Sequence, residues 1–184
     1  MPTVITHAVS AAALTTAFPN RSVPRRLIIL GGICAMAPDL DVFGFRFGIR
    51  YEDLWGHRGL THSLMFAFCL SILVWLVAIP YVAGFAYRVL LWLYLFLASA
   101  SHGVLDAFTN GGLGIAFLSP FDTTRYFFSF HPIEVSPTGV HFFSERGLSA
   151  LESEFIWVWV PSIVFAILAV VVRWLFTRST TRTN

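Results

Sequence analysis

The sequence contains no lysine. All twelve of its basic residues are arginine, and charged residues occupy only 12% of its 184 positions. A net charge of +2 spread so thinly leaves no broad basic surface, which excludes nucleic acid as a partner. Cysteine is nearly absent as well. Cys34 and Cys69 both fall inside apolar runs, so both are expected as small buried residues, and a disulfide framework or thiolate metal cluster is excluded. No basic region precedes the first apolar stretch, and His7 arrives before it, so no cleaved signal is expected. There is no internal repeat and no low-complexity segment.

What the chain has in excess is apolar surface. Hydrophobic residues make up 57% of it and the mean hydropathy is +0.73, beyond what one soluble core requires. The expected fold is an all-α integral membrane protein, a single domain over 1–184 built as a bundle of about five helices. Apolar runs predict helices over 4–18, 25–37, 63–80, 88–108 and 155–176. The first two are short against the ~20 residues that a full crossing needs, and the Ala, Ser and Thr of 4–18 suit close packing between membrane helices. Residues 19–26 read as a tight basic turn, Pro38 as the stop of the second run, and 42–56 as a loop. The stretch 109–154 is too polar to cross and too aromatic for a free linker. It is expected as an aromatic lid on the membrane interface.

Five crossings place Arg21, Arg25, Arg26, Arg88, Arg173, Arg178 and Arg182 on one side, which the positive-inside rule makes cytoplasmic, together with the C-terminus. All ten carboxylates then lie on or toward the opposite side, and so do His7, His57, His62, His102, His131 and His141. Depth agrees with this. His7, Asp39 and His102 each stand thirteen or fourteen residues from the arginines of their own segment, which is roughly 20 Å of helix at about 1.5 Å per residue. Three segments therefore offer ligands at one level.

Those residues have metal-ligand chemistry. His102 and Asp106 are i and i+4 on one helix and point from one face. Asp39 and Asp41 share a side if Pro38 leaves the chain extended. His57 and His62 flank Gly59, whose freedom at positive φ would fold both imidazoles inward. With His7, seven ligands are expected around a divalent cation, Zn²⁺ before Mn²⁺, and seven suit two ions as well as one. His141 and Glu145 form a weaker candidate pair. A water activated by the ion would attack a phosphoester or other ester, with Asp39 or Asp41 orienting or deprotonating it and Arg58 steadying a phosphate oxygen. The plainer alternatives are that Asp39 caps a turn, that Thr61 or Ser63 N-caps the next helix, that Glu52, Asp53, Glu152 and Glu154 form a solvated face, and that Arg58 only pairs with a carboxylate. Seven ionisable groups at membrane level, each costing a few kcal/mol unless paired or functional, favour the metal.

The motifs Thr6-His7, Pro38-Asp39-Leu40-Asp41, His57-Arg58-Gly59-Leu60-Thr61-His62-Ser63 and His102-Gly103-Val104-Leu105-Asp106 resemble the YdjM/YbcI-type inner-membrane proteins. The resemblance extends to Phe117–Phe121, Arg125–Phe128 and Phe143–Gly147. It implies a membrane-bound, metal-dependent hydrolase of the inner membrane. A looser similarity links the order of His7, Asp39 or Asp41, His57 or His62, His102/Asp106 and His141/Glu145 to the zinc-dependent phospholipase C and nuclease P1 group. Those enzymes are soluble and begin with a metal-binding tryptophan that this sequence lacks near its start. The expected partners are membrane lipids, including a lipid-like substrate. Two further classes compete: a non-catalytic membrane regulatory protein holding a protein partner through the lid, and a metal or proton transporter. Transport requires ligands along a route, and the arginine-rich half has almost none.

Overall fold

The computed structural model describes residues 1–18, 24–137 and 139–181. Arg21 and Arg182, on which part of the charge argument rests, lie outside the described residues. Helix α1 is Val4–Leu14, N-capped by Thr3, whose hydroxyl accepts from the Thr6 N–H. Helix α2 is Arg25–Met36, α3 is Leu64–Ala78, α4 is Phe85–Ala107, α5 is Glu145–Glu154 and α6 is Val160–Thr181. A π turn, Phe155–Trp159, joins α5 to α6, so the two run as one continuous helix and the described residues form five helical rods. Pro161 has no N–H to give to the turn before it, and a π turn is one way in which a helix absorbs such a break. Among the described residues there is no strand, only two isolated bridges, Thr109 with Ile133 and Ile115 with Tyr126.

Among the described residues, three helices are long and apolar enough to cross a membrane: Arg25–Phe47, Phe85–Ala107 and Glu145–Phe176. Val4–Ala17 and Leu64–Ala78 are shorter apolar helices. The all-α bundle of five helices with two short members is observed, but the short pair differs from the expected one: the second helix, expected short, gains length through its continuation to Phe47, while the third, expected over 63–80, is the shorter Leu64–Ala78. Helices α1, α2 and α4 pack together, α3 lies on α4, and α6 lies on α1. Small residues make the contacts close: Ala11, Cys34, Ala35 and Ala98 are fully buried around Leu91, Tyr94 and Leu95. At Gly31 a Cβ would stand 1.8 Å from the Tyr94 hydroxyl, so α2 can meet α4 there only without a side chain.

Several boundaries differ from the sequence reading. Pro38 does not end the second helix in an extended segment. A proline is tolerated in the first turn, where its missing N–H is not needed, and the chain continues as a 3₁₀ helix from Ala37 to Phe47. The segment 42–56 is thus helical in its first residues. The expected lid is irregular only as far as 137 among the described residues; a short 3₁₀ turn, Gly139–Phe143, and α5 follow. Cys34 is buried as expected, but Cys69 is exposed on α3, and both are free.

The bundle has two distinct ends. Arg25 and Arg26 open α2, Arg88 lies in the first turn of α4, and Arg173 donates to the carbonyls of Thr16 and Phe18 just after α1. The start of α1, the 3₁₀ extension of α2, the start of α3 and the end of α4 meet at the other end.

Candidate metal centre

At that second end four ligand-bearing side chains come together. Ligand atoms of Asp39, His62, His102 and Asp106 all lie within 4.8 Å of one another, and all four residues are buried. His102 and Asp106 project inward from the last turns of α4. Asp39 comes from the 3₁₀ segment after α2, and His62 from a 3₁₀ turn, Leu60–His62, just before α3. His102 Nε2 is 3.0 Å from His62 Nε2 and 3.3 Å from Asp39 Oδ1. His62 Nε2 is 3.5 Å from Asp106 Oδ2 and 3.7 Å from Asp39 Oδ1. His7, from α1, stacks on His102 with ring centroids 3.7 Å apart and sets its Nε2 3.6 Å from Asp106 Oδ1. The three segments that depth placed at one level do meet.

The other ring nitrogens explain why these edges face each other. His102 Nδ1–H donates to the Ala35 carbonyl at 2.6 Å, and a carbonyl can only accept, so the neutral ring turns a lone pair inward at Nε2. His62 Nδ1 lies 3.0 Å from the Thr61 hydroxyl and 3.2 Å from Asp41 Oδ2, which likewise leaves its Nε2 for the cluster. A carbonyl or carboxylate behind the far nitrogen of a ligating imidazole is the usual support of a metal site. Meanwhile both oxygens of Asp39, both of Asp106 and both nitrogens of His7 are buried without a hydrogen-bond partner. Buried polar groups are rarely left so, and these converge on one place. The group can hold a metal ion.

Asp39 and Asp41 do not act as one pair. A 3₁₀ helix turns about 120° per residue, so i and i+2 point to different sides, and the two carboxylates flank His62 from different directions. Asp41 accepts from His57 Nδ1 at 2.7 Å, from the Thr61 hydroxyl at 2.6 Å and from the Arg58 N–H at 3.3 Å. His57, His62 and Asp41 make a second potential ligand group that shares His62 with the first, but its Asp41 oxygens are already engaged.

Arg58 is buried, and its three nitrogens face protein. Nη1 donates to the Gly111 carbonyl at 2.6 Å and Nη2 to the Thr109 hydroxyl at 2.9 Å, while Nε stands 3.2 Å from Asp106 Oδ2 without hydrogen-bond alignment. The guanidinium thus backs Asp106, in line with the plainer of the two readings of its role. Arg58 also carries the positive φ of the loop, +65°, whereas Gly59 has φ −85°. Glycine is needed at 59 for a different reason: a Cβ would stand 2.4 Å from the Leu54 carbonyl oxygen. At Gly103 a Cβ would stand 2.7 Å from the His62 carbonyl oxygen, so this glycine lets the His62 turn lie directly on α4. Ser63 caps α3, accepting from Phe66 N–H at 3.1 Å, and the Thr61 hydroxyl lies between Asp41 and His62 Nδ1.

Outside the spans, burial alone would strip the proton from His62, but its contacts with Asp106, Asp39 and Asp41 outweigh that and push its pKa up to about 10. Three carboxylates around one imidazole make a strongly cation-seeking pocket.

Other residues hold the site from behind. Glu154, expected on a solvated face, is fully buried and accepts from the Thr3 N–H at 2.7 Å and from the hydroxyls of Thr3 and Thr6. Trp159 Nε1 donates to the Thr6 hydroxyl at 2.7 Å. This network fastens α1 to the α5–α6 helix one residue before His7. Arg125, from the irregular stretch, donates to the carbonyls of His57 at 3.0 Å and Tyr51 at 2.9 Å. Glu154 carried the same signal as the other site carboxylates, a charge at the edge of an apolar run, whereas Arg125 carried no chemical signal of its own beyond lying in one of the stretches of family resemblance. His131, His141 and Glu145 are exposed, and neither ligand group includes them.

The YdjM inner membrane protein family matches residues 1–179. Inner membrane protein YbcI of Escherichia coli strain K12 is 37% identical over 165 residues, spanning 89% of this chain and 94% of that protein. No solved structure matches the chain. With helices fit to cross a bilayer and a buried His/Asp centre at one end, the chain belongs to the YdjM inner membrane protein family.

Proposed function

We propose that this chain is a membrane-embedded metal-dependent hydrolase of ester or phosphoester substrates. The observation that carries the reading is the set of buried carboxylate oxygens of Asp39 and Asp106, which have ion-pair neighbours but no aligned hydrogen bond, facing two imidazole Nε2 atoms that are oriented from behind. His62, His102, Asp39 and Asp106 would hold the ion, with His7 beside Asp106. Nitrogen and carboxylate donors in this mix suit Zn²⁺, with Mn²⁺ as the competitor. One ion accounts for this set, because Asp41 is occupied with orienting His57 and His62.

A bound divalent ion supplies Lewis acidity toward an ester or phosphoester oxygen. The chain's own residues do the rest. Asp41 fixes the rings of His57 and His62, Arg58 backs Asp106 at 3.2 Å and holds it in place, and Arg125 holds the 51–57 loop from outside. Access is directional. His7, His102 and Asp106 are 0% exposed, whereas Asp39, His57 and Asp41 are 6%, 6% and 9% exposed, so substrate would approach over the 39–41 and 57 edge. In the sequence seven of the twelve arginines belong to the opposite end, which supports a site on the non-cytoplasmic side of the inner membrane, with the C-terminus cytoplasmic. Cysteine labelling from the two sides tests that orientation.

Full burial of His7, His102 and Asp106 favours a second reading, in which the ion is structural and the protein regulatory. One experiment separates the two. Metal content by mass spectrometry and hydrolysis of a generic phosphodiester and a generic carboxylic ester are measured on the purified protein, beside His102→Ala and the near-isosteric Asp39→Asn. The hydrolase reading expects near-stoichiometric Zn²⁺ and chelator-sensitive turnover, both lost in the variants. Stoichiometric metal with no turnover of either substrate favours the structural reading. Folded protein that cannot be loaded with metal refutes both.

A further inference from the structure

Beside the centre, on the outside of the bundle, lies a groove of about 450 Å³ between the start of α3, the middle of α4 and the irregular stretch. Leu64, Met65 and Phe68 form one wall and Phe96 another, with Phe117, Leu118 and Phe121 closing it from above. Its volume is that of a small-molecule pocket. Two polar residues break the apolar lining, Ser119 and Asp122. Ser119 is 0% exposed, and its hydroxyl has no hydrogen-bond partner. Asp122 is satisfied by the Thr124 N–H at 2.8 Å, so the unmet hydrogen-bonding capacity in the groove belongs to Ser119.

The groove shares a wall with the metal centre. Leu64 follows His62 by two residues, and its N–H donates to the Phe117 carbonyl at 3.0 Å. Gly103, next to His102, would with a Cβ touch the Phe117 ring at 3.4 Å and the His62 carbonyl oxygen at 2.7 Å. An occupant of the groove therefore lies against the segments that carry His62 and His102.

The geometry points to this groove as the binding site for an acyl chain of a membrane lipid, with the Ser119 hydroxyl donating to the lipid's ester oxygen. The complementarity is specific in kind: an apolar groove beside α3 and α4, lined by the half-exposed Leu64, Met65, Phe68 and Leu118 and the exposed Phe121, with one buried hydroxyl left without a partner. A soluble anion would find no cation in the lining, and a peptide would find no row of backbone partners. The assignment rests on the hydrolase reading for its catalytic consequence, namely that the substrate is a lipid ester, and on the groove's own lining for binding.

The test is photo-labelling of the full chain in phosphatidylcholine vesicles doped with phosphatidylcholine that carries a diazirine on one acyl chain, read by peptide mass spectrometry. Adducts should saturate with probe and concentrate on 64–68 and 117–122, about tenfold above the lipid-facing run 163–168 of α6. Met65→Trp, which fills the trough, should remove that excess, and Leu73→Trp, on an exposed part of α3 outside the groove, should not. Ser119→Ala should weaken labelling about two- to tenfold, the worth of one hydrogen bond. Labelling spread evenly over α3 and α6, or excess labelling that survives Met65→Trp, overturns the proposal. The outcomes also separate the two readings. Even labelling of a metal-loaded, hydrolysing protein refutes the groove alone, and saturable groove labelling of a metal-loaded protein that hydrolyses nothing refutes the hydrolase reading alone.

Discussion

Asp41→Asn is the sharpest probe of how the centre is organised. In the wild type the carboxylate receives His57 Nδ1 at 2.7 Å, the Thr61 hydroxyl at 2.6 Å and the Arg58 N–H at 3.3 Å, and sits 3.2 Å from His62 Nδ1. Asparagine keeps the shape but has one acceptor oxygen and no charge. Its NH₂ group must face either the His57 edge or the Thr61 and His62 edge, so one imidazole loses its anchor. Losing an outer carboxylate of this kind typically weakens metal binding 10- to 100-fold, which is about 1.4 to 2.7 kcal/mol. The assay is equilibrium competition between the detergent-purified protein and a zinc chelator of known affinity, with Asp39→Asn measured alongside. Asp41→Asn should bind the same number of ions with affinity reduced within that range, whereas Asp39→Asn should bind almost none. If Asp41→Asn loses ions as completely as Asp39→Asn, then Asp41 is itself a ligand and the division between the two carboxylates is wrong. Unchanged affinity would show that the rings are held in place without it.

Four further outcomes follow from the same geometry. Arg58→Met strands Asp106, Thr109 and the Gly111 carbonyl in a buried space, and breaking such a pair typically costs about 3 to 5 kcal/mol; a large fall in thermal midpoint in detergent is expected, and a fall no greater than that of an exposed arginine such as Arg50 would contradict the buried clamp. Glu154→Gln should lower stability by about 1 to 3 kcal/mol, because one of its acceptor oxygens is lost to Thr3 and Thr6, while Zn²⁺ stoichiometry stays unchanged; loss of metal with full stability would refute a purely fastening role. Gly103→Ala forces a backbone shift against the His62 carbonyl oxygen and should cost about 1 to 3 kcal/mol, visible as a lower midpoint and weaker metal binding together. In metal-free protein the His62 pKa is raised from the ordinary ~6.5 to about 10, so its imidazolium contributes stability that is fully present below pH ~6.5 and is lost as pH rises to about 10. Loading with Zn²⁺ should therefore release a proton at neutral pH, measurable by pH-stat, and His62→Gln should abolish both effects.

The sequence alone determined the class of fold and the cast of the site. Apolar runs report helices wherever burial in lipid or protein is needed, so five rods were legible, but their lengths were not: the second run continues past Pro38 to Phe47 and the third is the short one. Charges at the ends of such runs are costly, so His7, Asp39, His62, His102 and Asp106 announced themselves. A carboxylate such as Glu154 carried the same signal, but a charge at a helix end can equally face water, and only packing against Thr3 and Thr6 decides between the two.

What the tertiary structure decided was the direction of each group. Whether Pro38 ends a helix or opens a 3₁₀ turn depends on the packing of the residues after it, and that choice sent Asp39 to the cluster and Asp41 behind it. The role of Arg58 was fixed by partners 51 and 53 residues away, Thr109 and Gly111, and that of Arg125 by the carbonyls of a distant loop. Backbone groups such as the Ala35 carbonyl carry no residue-specific mark at all, yet it is that carbonyl which turns the lone pair of His102 toward the centre. Local composition sets the cost of placing a polar group in the bilayer; only the assembled bundle sets which neighbour meets that cost.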